Sequence, residues 1–208
     1  MTDIDKLLTI APVIPVVTLR SAEHAVPLAA ALLEGGIGIV EVTLRTEAAL
    51  TSIERMARAF PEATVLAGTV CNAAQARDAV QAGASGLVSP GLTESLASAT
   101  RELGTAWLPG IATASDILRG MDHGLIHFKL FPAVAAGGLV ALRAFAGPFP
   151  ELRFCPTGGI DLESAPPYLA LGNVACVGGS WVATEALMQA AAWDDIRSNA
   201  MRAAALRQ

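Results

Sequence analysis

His127-Phe128-Lys129-Leu130-Phe131-Pro132 is the stretch from which the rest of the chain is read. Phe128, Leu130 and Phe131 favour a short buried strand, and Pro132 ends it because proline has no N–H to give to a sheet. A lysine stands in its middle. The chain has two lysines, Lys6 and Lys129, against twelve arginines, so arginine carries the surface charge and this lysine sits where charge is most costly. Burial disfavours an ammonium, and a neutral amine in a dry pocket is a nucleophile that condenses with carbonyls to a Schiff base. A lysine that snorkels to a rim or pairs with a carboxylate would use the same residue type. The flanking segments bear on that choice.

On both sides of this strand one unit recurs, a helical stretch ending in glycine and then an apolar strand. The other predicted strands cover 13–19, 39–44, 64–70, 86–89, 106–111, 153–156 and 174–178. The first helix, 25–34, tolerates Pro27 in its first turn and stops at Gly35-Gly36. Thr46 is read as the cap of a helix to residue 60, Asn72 with Gln75 opens one closed by Gly83, and Thr93 opens one stopped by Gly104. Thr113 with Asp116 opens a helix closed by Gly124. Helices at 139–145 and around Pro166-Pro167 follow, and a long one over 184–206 ends the chain. Eight such alternations, with strands apolar on both faces, predict an α/β chain: one (β/α)8 TIM barrel over residues 1–208, with short loops. An open doubly wound sheet is the competitor, but no Gly-x-Gly-x-x-Gly turn follows the first strand.

Composition narrows the function classes. Of 208 residues 53% are hydrophobic and 16% charged, which gives a large core and no disordered tract. A net charge of −5 argues against nucleic acid or an anionic membrane surface as partner, and no apolar run is long enough to span a bilayer. Asp3 and Asp5 near the N-terminus do not suit a signal peptide. Cys71, Cys155 and Cys176 form no Cys-x-x-Cys, and the last two lie in apolar runs as core thiols. A reduced, cytoplasmic protein is expected. His24, His123 and His127 lack metal-ligand spacing, so no metal is expected. Trp107, Trp181 and Trp193 read as packing groups, and Arg197, Arg202 and Arg207 as a solvated helix face.

In a barrel, chemistry collects where strands end. The second strand ends Glu41-Val42-Thr43-Leu44-Arg45, and strand periodicity sends Glu41, Thr43 and Arg45 to the inner face. Such groups inside a barrel bind something or each other, and an internal Glu41–Arg45 pair is the plain alternative. The third strand ends Gly68-Thr69, the fourth Ser89-Pro90-Gly91, the fifth Pro109-Gly110. The seventh ends Pro156-Thr157-Gly158-Gly159 and the eighth Gly178-Gly179-Ser180-Trp181. Paired glycines after these two strands, with exposed amides and a helix following, suit a phosphate.

Gly36-Ile37-Gly38-Ile39-Val40-Glu41-Val42-Thr43-Leu44-Arg45 resembles the glutamate signature of the 2-keto-3-deoxy-6-phosphogluconate (KDPG) and 4-hydroxy-2-oxoglutarate (KHG) aldolase family. Gly124-Leu125-Ile126-His127-Phe128-Lys129-Leu130-Phe131-Pro132-Ala133, with Gly137 beyond, resembles its lysine signature. Ala67-Gly68-Thr69-Val70, Ser89-Pro90-Gly91, Phe154-Cys155-Pro156-Thr157-Gly158-Gly159 and Gly178-Gly179-Ser180-Trp181 match in the family's order. The resemblance implies a class I aldolase: a homotrimeric barrel, free of metal and cofactor, that cleaves a 2-keto-4-hydroxy acid to pyruvate and an aldehyde. It implies Lys129 as Schiff-base residue, Glu41 as proton shuttle and Arg45 with Thr69 at the substrate carboxylate. Pro90, Phe131 and Thr157 would line the pocket, and Gly158, Gly159, Gly179 and Ser180 would take the phosphate. Asp161 departs from the pattern, which often has serine or asparagine there, and its charge would oppose a phosphate. The expected substrate is KDPG, giving pyruvate and D-glyceraldehyde 3-phosphate. KHG, the galacto epimer of KDPG, and a non-catalytic barrel that senses a sugar phosphate are the alternatives.

Overall fold

Parallel strands alternate with helices through residues 4–206, the part of the chain that the computed structural model describes; Asp3 and Arg207 lie outside it. A short helix α1 (Ile4–Leu8) precedes β1 (Val13–Val17), α2 (Ala25–Glu34), β2 (Ile39–Thr43), α3 (Ala49–Ala59), β3 (Thr64–Gly68), α4 (Ala73–Gln81), β4 (Gly86–Val88) and α5 (Glu94–Leu103). Then come β5 (Ala106–Leu108), β6 (Gly110–Ile111), α6 (Ala114–Asp122), β7 (His127–Leu130), α7 (Gly138–Phe145), β8 (Arg153–Phe154), α8 (Ala165–Leu169), β9 (Val177–Gly179), α9 (Glu185–Gln189) and α10 (Trp193–Ala204). Every strand pairing is parallel.

The ladders form two sheets rather than one continuous ring, a six-stranded sheet in the order β5-β4-β3-β2-β1-β9 and a three-stranded one in the order β6-β7-β8. Proline causes the first interruption. Pro109 falls inside the predicted strand 106–111 and has no N–H, so the run divides into β5 and β6. Its carbonyl still accepts from the Lys129 amide at 2.8 Å. On the other side, the parallel bridges Phe154↔Val174 and Thr157↔Gly178 link the β8 segment to the strand that ends in β9.

The predicted helix starts hold where a side chain can reach the free amides. Asn72 accepts from the Gln75 amide, Thr93 from Leu96, and Thr113 with Asp116 makes a reciprocal capping box. Thr46 does not cap α3; its hydroxyl donates to the Leu19 carbonyl, and Ala48 takes the cap position without a side-chain bond. The predicted helix over 184–206 is two helices. Ala191, with φ of 49°, breaks it between α9 and α10. An alanine-rich run carries no signal for such a break, which comes from packing. After it α10 lies along α2, with Ala200 against Gly35 so closely that a Cβ on Gly35 would overlap it.

The aromatic core lies beneath β7 and β8. Phe128 and Phe154 are fully buried with ring centroids 6.4 Å apart, and Phe145 stacks on Phe154 at 5.9 Å. A glycine within α6 serves this core: any side chain on Gly120 would enter the Phe128 ring. Cys155 and Cys176 are buried as expected, and Cys71 is exposed.

The capping box of α6 makes stability depend on pH. Partial burial pushes the Asp116 carboxyl up, but the Thr113 hydroxyl and the Ala112 and Thr113 amides that bond to it outweigh this, and its pKa is lowered. A lowered folded-state value means that the cap's contribution is complete above the unfolded carboxyl value, about 3.9, and is lost as pH falls through the folded one. Asp116→Ala should therefore cost about 1 kcal/mol in urea denaturation at pH 7. The gap to the parent should narrow at pH 3, whereas a gap independent of pH would show that the carboxylate's charge is not what the cap uses.

Candidate active site

The register of β2 and the amide of Lys129 bring two distant residues into contact. Glu41 lies at the centre of β2, opposite Val16 of β1 and Leu66 of β3. Lys129 lies opposite Gly110 of β6. The Lys129 ammonium donates to Glu41 Oε1 at 3.0 Å and Oε2 at 3.1 Å. Lys129 is 5% exposed and Glu41 4%, so the rim-seeking alternative for the lysine is excluded. Removing one partner of such a pair strands a buried charge, which costs about 3–5 kcal/mol. The Phe131 ring centroid lies 5.3 Å from Lys129 Nζ, close enough for its π face to attract the cation.

Missing side chains make the room. A Cβ on Gly68 would overlap the Glu41 carboxyl, a Cβ on Gly178 the Thr157 hydroxyl, and a Cβ on Gly110 the Pro90 carbonyl. Sequence reading placed these glycines only at strand ends, with Gly178 in a turn suited to phosphate, and the inter-strand register reveals that they also make room for side chains. The internal Glu41–Arg45 pair does not form. Arg45 is exposed, and its Nε donates to Thr69 Oγ1 at 3.0 Å. Thr69 itself has φ of 58°, a left-handed conformation that a β-branched residue rarely adopts. Strain of this kind is held in place by surrounding structure and points to a functional position.

The Ser89-Pro90-Gly91 turn is held from below. Trp107 Nε1 donates to Ser89 Oγ at 2.9 Å, and Ser89 Oγ donates to the Gly91 carbonyl at 2.7 Å. Trp107 is therefore a packing group, as predicted, that also fixes the turn carrying Pro90. The buried Cys155 thiol makes a hydrogen bond with the free thiol of Cys176. That bond, against burial and with help from the Lys129 charge and Thr157, lowers its pKa. The bridge Thr157↔Gly178 sets the two glycine turns side by side. Gly158 and Gly159 have φ of 105° and 79°, conformations open to glycine, and Gly159 and Ser180 are exposed at the mouth. Asp161 does not face outward freely. Its carboxylate accepts from the Ser164 amide at 2.9 Å and from the Ser164 hydroxyl, bonds that lower its pKa. Among the described residues no cluster of three or more His, Cys, Asp or Glu could hold a metal ion.

An amine and a carboxylate in contact and out of water can exchange a proton. Known proteins share this arrangement's sequence context. The profile of the family described as KDPG and KHG aldolase matches residues 4–199. The chain belongs to the KDPG and KHG aldolase family. The 2-dehydro-3-deoxy-phosphogluconate aldolase of Pseudoalteromonas atlantica is 49% identical over 194 residues, 93% of this chain and 90% of that one. The KDPG aldolase of Legionella pneumophila, solved with pyruvate captured as a covalent carbinolamine intermediate, superposes with a TM-score of 0.96 at 42% identity over 98% of each chain. The KDPG aldolase of Zymomonas mobilis with 3-phosphoglycerate superposes with a TM-score of 0.94 at 44% identity, covering 100% of this chain and 98% of that one.

The clearance at Gly68 is open to test. Gly68→Ala should displace the Glu41 carboxyl from Lys129, lowering aldolase turnover by about 10²-fold or more, as loss of a positioned acid–base group does, while circular dichroism stays that of the parent. Full activity would show that Glu41 needs no such space.

Proposed function

We propose that this family member cleaves KDPG to pyruvate and D-glyceraldehyde 3-phosphate through a Schiff base on Lys129, with Glu41 as proton carrier. The carrying observation is the buried contact of Lys129 Nζ with both oxygens of Glu41. Lys129 passes a proton to Glu41 and as the free amine attacks the C2 carbonyl, and Glu41 returns that proton to the carbinolamine hydroxyl, which leaves as water to give a protonated iminium. Glu41 takes the proton of the C4 hydroxyl as the C3–C4 bond breaks, and the bonding electrons enter the iminium to give an enamine. The aldehyde leaves. Protonation of the enamine at C3 and hydrolysis of the imine release pyruvate and the lysine. A proton donor and acceptor about 3 Å apart suit each of these transfers. Arg45, oriented by Thr69, offers its guanidinium to the C1 carboxylate. Pro90 and Phe131 wall the pocket, and Thr157 lines it between the catalytic pair and the glycine turns.

The phosphate is assigned to Gly158, Gly159, Gly179 and Ser180, which the Thr157↔Gly178 bridge supports by drawing the turns together. The Ser164 amide and hydroxyl hold the Asp161 carboxylate in place and keep it ionised, so its charge opposes a phosphate and lowers the affinity expected of these turns. The carbinolamine of the Legionella relative and the 3-phosphoglycerate of the Zymomonas one support the two ends of the assignment. The architecture is taken as one (β/α)8 domain in which the two sheets close on each other, supported by the Pro109–Lys129 bond and the bridges to β9. A cytoplasmic homotrimer is the working assembly; Leu118 and Met121 of α6, with Ile126, Val134 and Val140, leave exposed apolar surface that association would cover.

Pyruvate with borohydride should inactivate the protein and leave a reduced adduct on Lys129 and none on Lys6. Lys129→Arg should abolish turnover with the fold intact, and Glu41→Gln should lower it by about 10²–10⁴. An unmodified Lys129 peptide in the inactivated protein would sink the Schiff-base reading. For the phosphate, the parent should show a higher kcat/KM for KDPG than for its dephosphorylated analogue. Ser180→Asp should harm KDPG cleavage far more than cleavage of KHG. Equal losses, or a parent indifferent to phosphate, would move KHG ahead as substrate, and a preference for the C4 epimer would assign the galacto sugar.

A further inference from the structure

We infer that Thr18 is a specificity residue of this site, whose hydroxyl oxygen accepts a hydrogen bond from the hydroxyl beside the aldehyde carbon of the departing half. The inference rests on the aldolase reading above and concerns which aldehyde the site prefers.

Register places the residue. Val16 pairs with Glu41 and Val17 with Val42, so the next step along β1 sets Thr18 beside Thr43. Their hydroxyl oxygens are 2.8 Å apart. Alternation then gives Thr18 and Val16 the inner face that Thr43 shares with Glu41. Both Val16 and Thr18 are partly exposed, whereas Val17 and Leu19 on the other face are buried. Two strand residues separate the Thr18–Thr43 layer from Glu41, a rise of about 7 Å towards the mouth. A substrate bonded to Lys129 extends in that direction. β1 also lies between β2, which carries Glu41, and β9, which leads to Gly179 and Ser180. Thr18 therefore stands between the catalytic pair and the proposed phosphate turn.

Proton accounting gives the hydroxyl its polarity. A threonine has one O–H to donate and two lone pairs. Thr43, fully buried, donates its proton to the Val17 carbonyl at 3.1 Å. The Thr18–Thr43 contact allows either hydroxyl to donate, and with the Thr43 proton spent on the Val17 carbonyl its hydrogen comes from Thr18. With its proton turned towards Thr43, Thr18 presents lone pairs to the mouth. A cavity of about 90 Å³ opens beside it, with Arg20, Glu185 and Gln189 in its wall. There the Arg20–Glu185 ion pair is buttressed by Gln189 Nε2, which donates to Glu185 at 2.9 Å, so these side chains are occupied with one another.

An acceptor at this height distinguishes the two aldehydes of the family. Glyceraldehyde 3-phosphate carries a hydroxyl next to its aldehyde carbon and can donate. Glyoxylate, released from KHG, carries a carboxylate there, whose oxygens would meet the Thr18 lone pairs with repulsion. Thr18 thus favours the sugar acid over KHG by a contact separate from the phosphate.

Thr18→Val keeps the shape, removes the hydroxyl and leaves the Thr43–Val17 bond in place. Pyruvate release from KDPG and from KHG should be compared in the parent, Thr18→Val and Thr18→Ser, with near-UV circular dichroism to confirm folding. The ratio of kcat/KM for KDPG over KHG should fall about tenfold in Thr18→Val, the scale of one hydrogen bond. It should recover in Thr18→Ser. A ratio unchanged in Thr18→Val, or not restored by serine, overturns the assignment. A parent that releases pyruvate from neither substrate removes the aldolase reading itself, and the Thr18 inference with it, before any variant is compared.

Discussion

The contact between Lys129 and Glu41 is the constraint to which the surrounding structure conforms. Two opposite charges out of water owe much of their cohesion to geometry, since desolvation offsets most of their attraction. Each neighbour contributes to that geometry. Gly68 supplies the space for the carboxyl, the Pro109 carbonyl fixes the height of the lysine strand, and the rows β1-β2-β3 clamp the backbone of Glu41 on both sides. A hydrophobic pair of equal volume would hold these strands at least as well. The charged pair is thus better explained by chemistry than by stability.

The mouth above the pair is built differently. Its residues sit on short strand ends and turns, where backbone strain and absent side chains do the positioning. Thr69 accepts a left-handed backbone and in that conformation gives Arg45 a fixed partner. Ser89 holds its turn from below through Trp107, so the loop carrying Pro90 rests on a buried indole rather than on its own flexible links. Rigid strands below and braced turns above are what a site needs if it is to hold a reacting chain in one orientation.

Local chemistry in the sequence made much of this legible. The lone interior lysine, the inward pair Glu41 and Thr43, and the caps at Asn72, Thr93 and Thr113 are properties of a residue and its near neighbours, whereas Arg45, expected on the same inner face, lies past the end of β2 and is exposed. What escaped depends on residues far apart in the chain. The helix break at Ala191 answers to packing on α2, and no propensity in an alanine run marks it. The division of a strand at Pro109 was written in that proline, but the apolar pattern across 106–111 outweighed it. The partner of Glu41 stayed open between Arg45 and Lys129 because periodicity gives a face and not a neighbour across the sheet. Thr18 fell within a predicted strand, yet its meaning comes only from the register that puts it beside Thr43.

In the proposed mechanism the charge of the pair also bears on the bond-breaking step. An ammonium on Lys129 and the protonated iminium that replaces it carry the same charge, so forming the Schiff base leaves the balance with Glu41 unchanged. In the proposed site the Arg45 guanidinium, held by Thr69, is the further positive charge offered to a substrate carboxylate. At the bond-breaking step the balance changes. On the proposed mechanism Glu41 takes the hydroxyl proton and becomes neutral, and the electrons of the C3–C4 bond neutralise the iminium. A buried ion pair turns into two uncharged groups in one step. A site with little water disfavours separated charges and favours that outcome. The burial that makes the resting pair expensive therefore assists the cleavage, which accounts for a lysine and a glutamate being placed together at the centre of the strands.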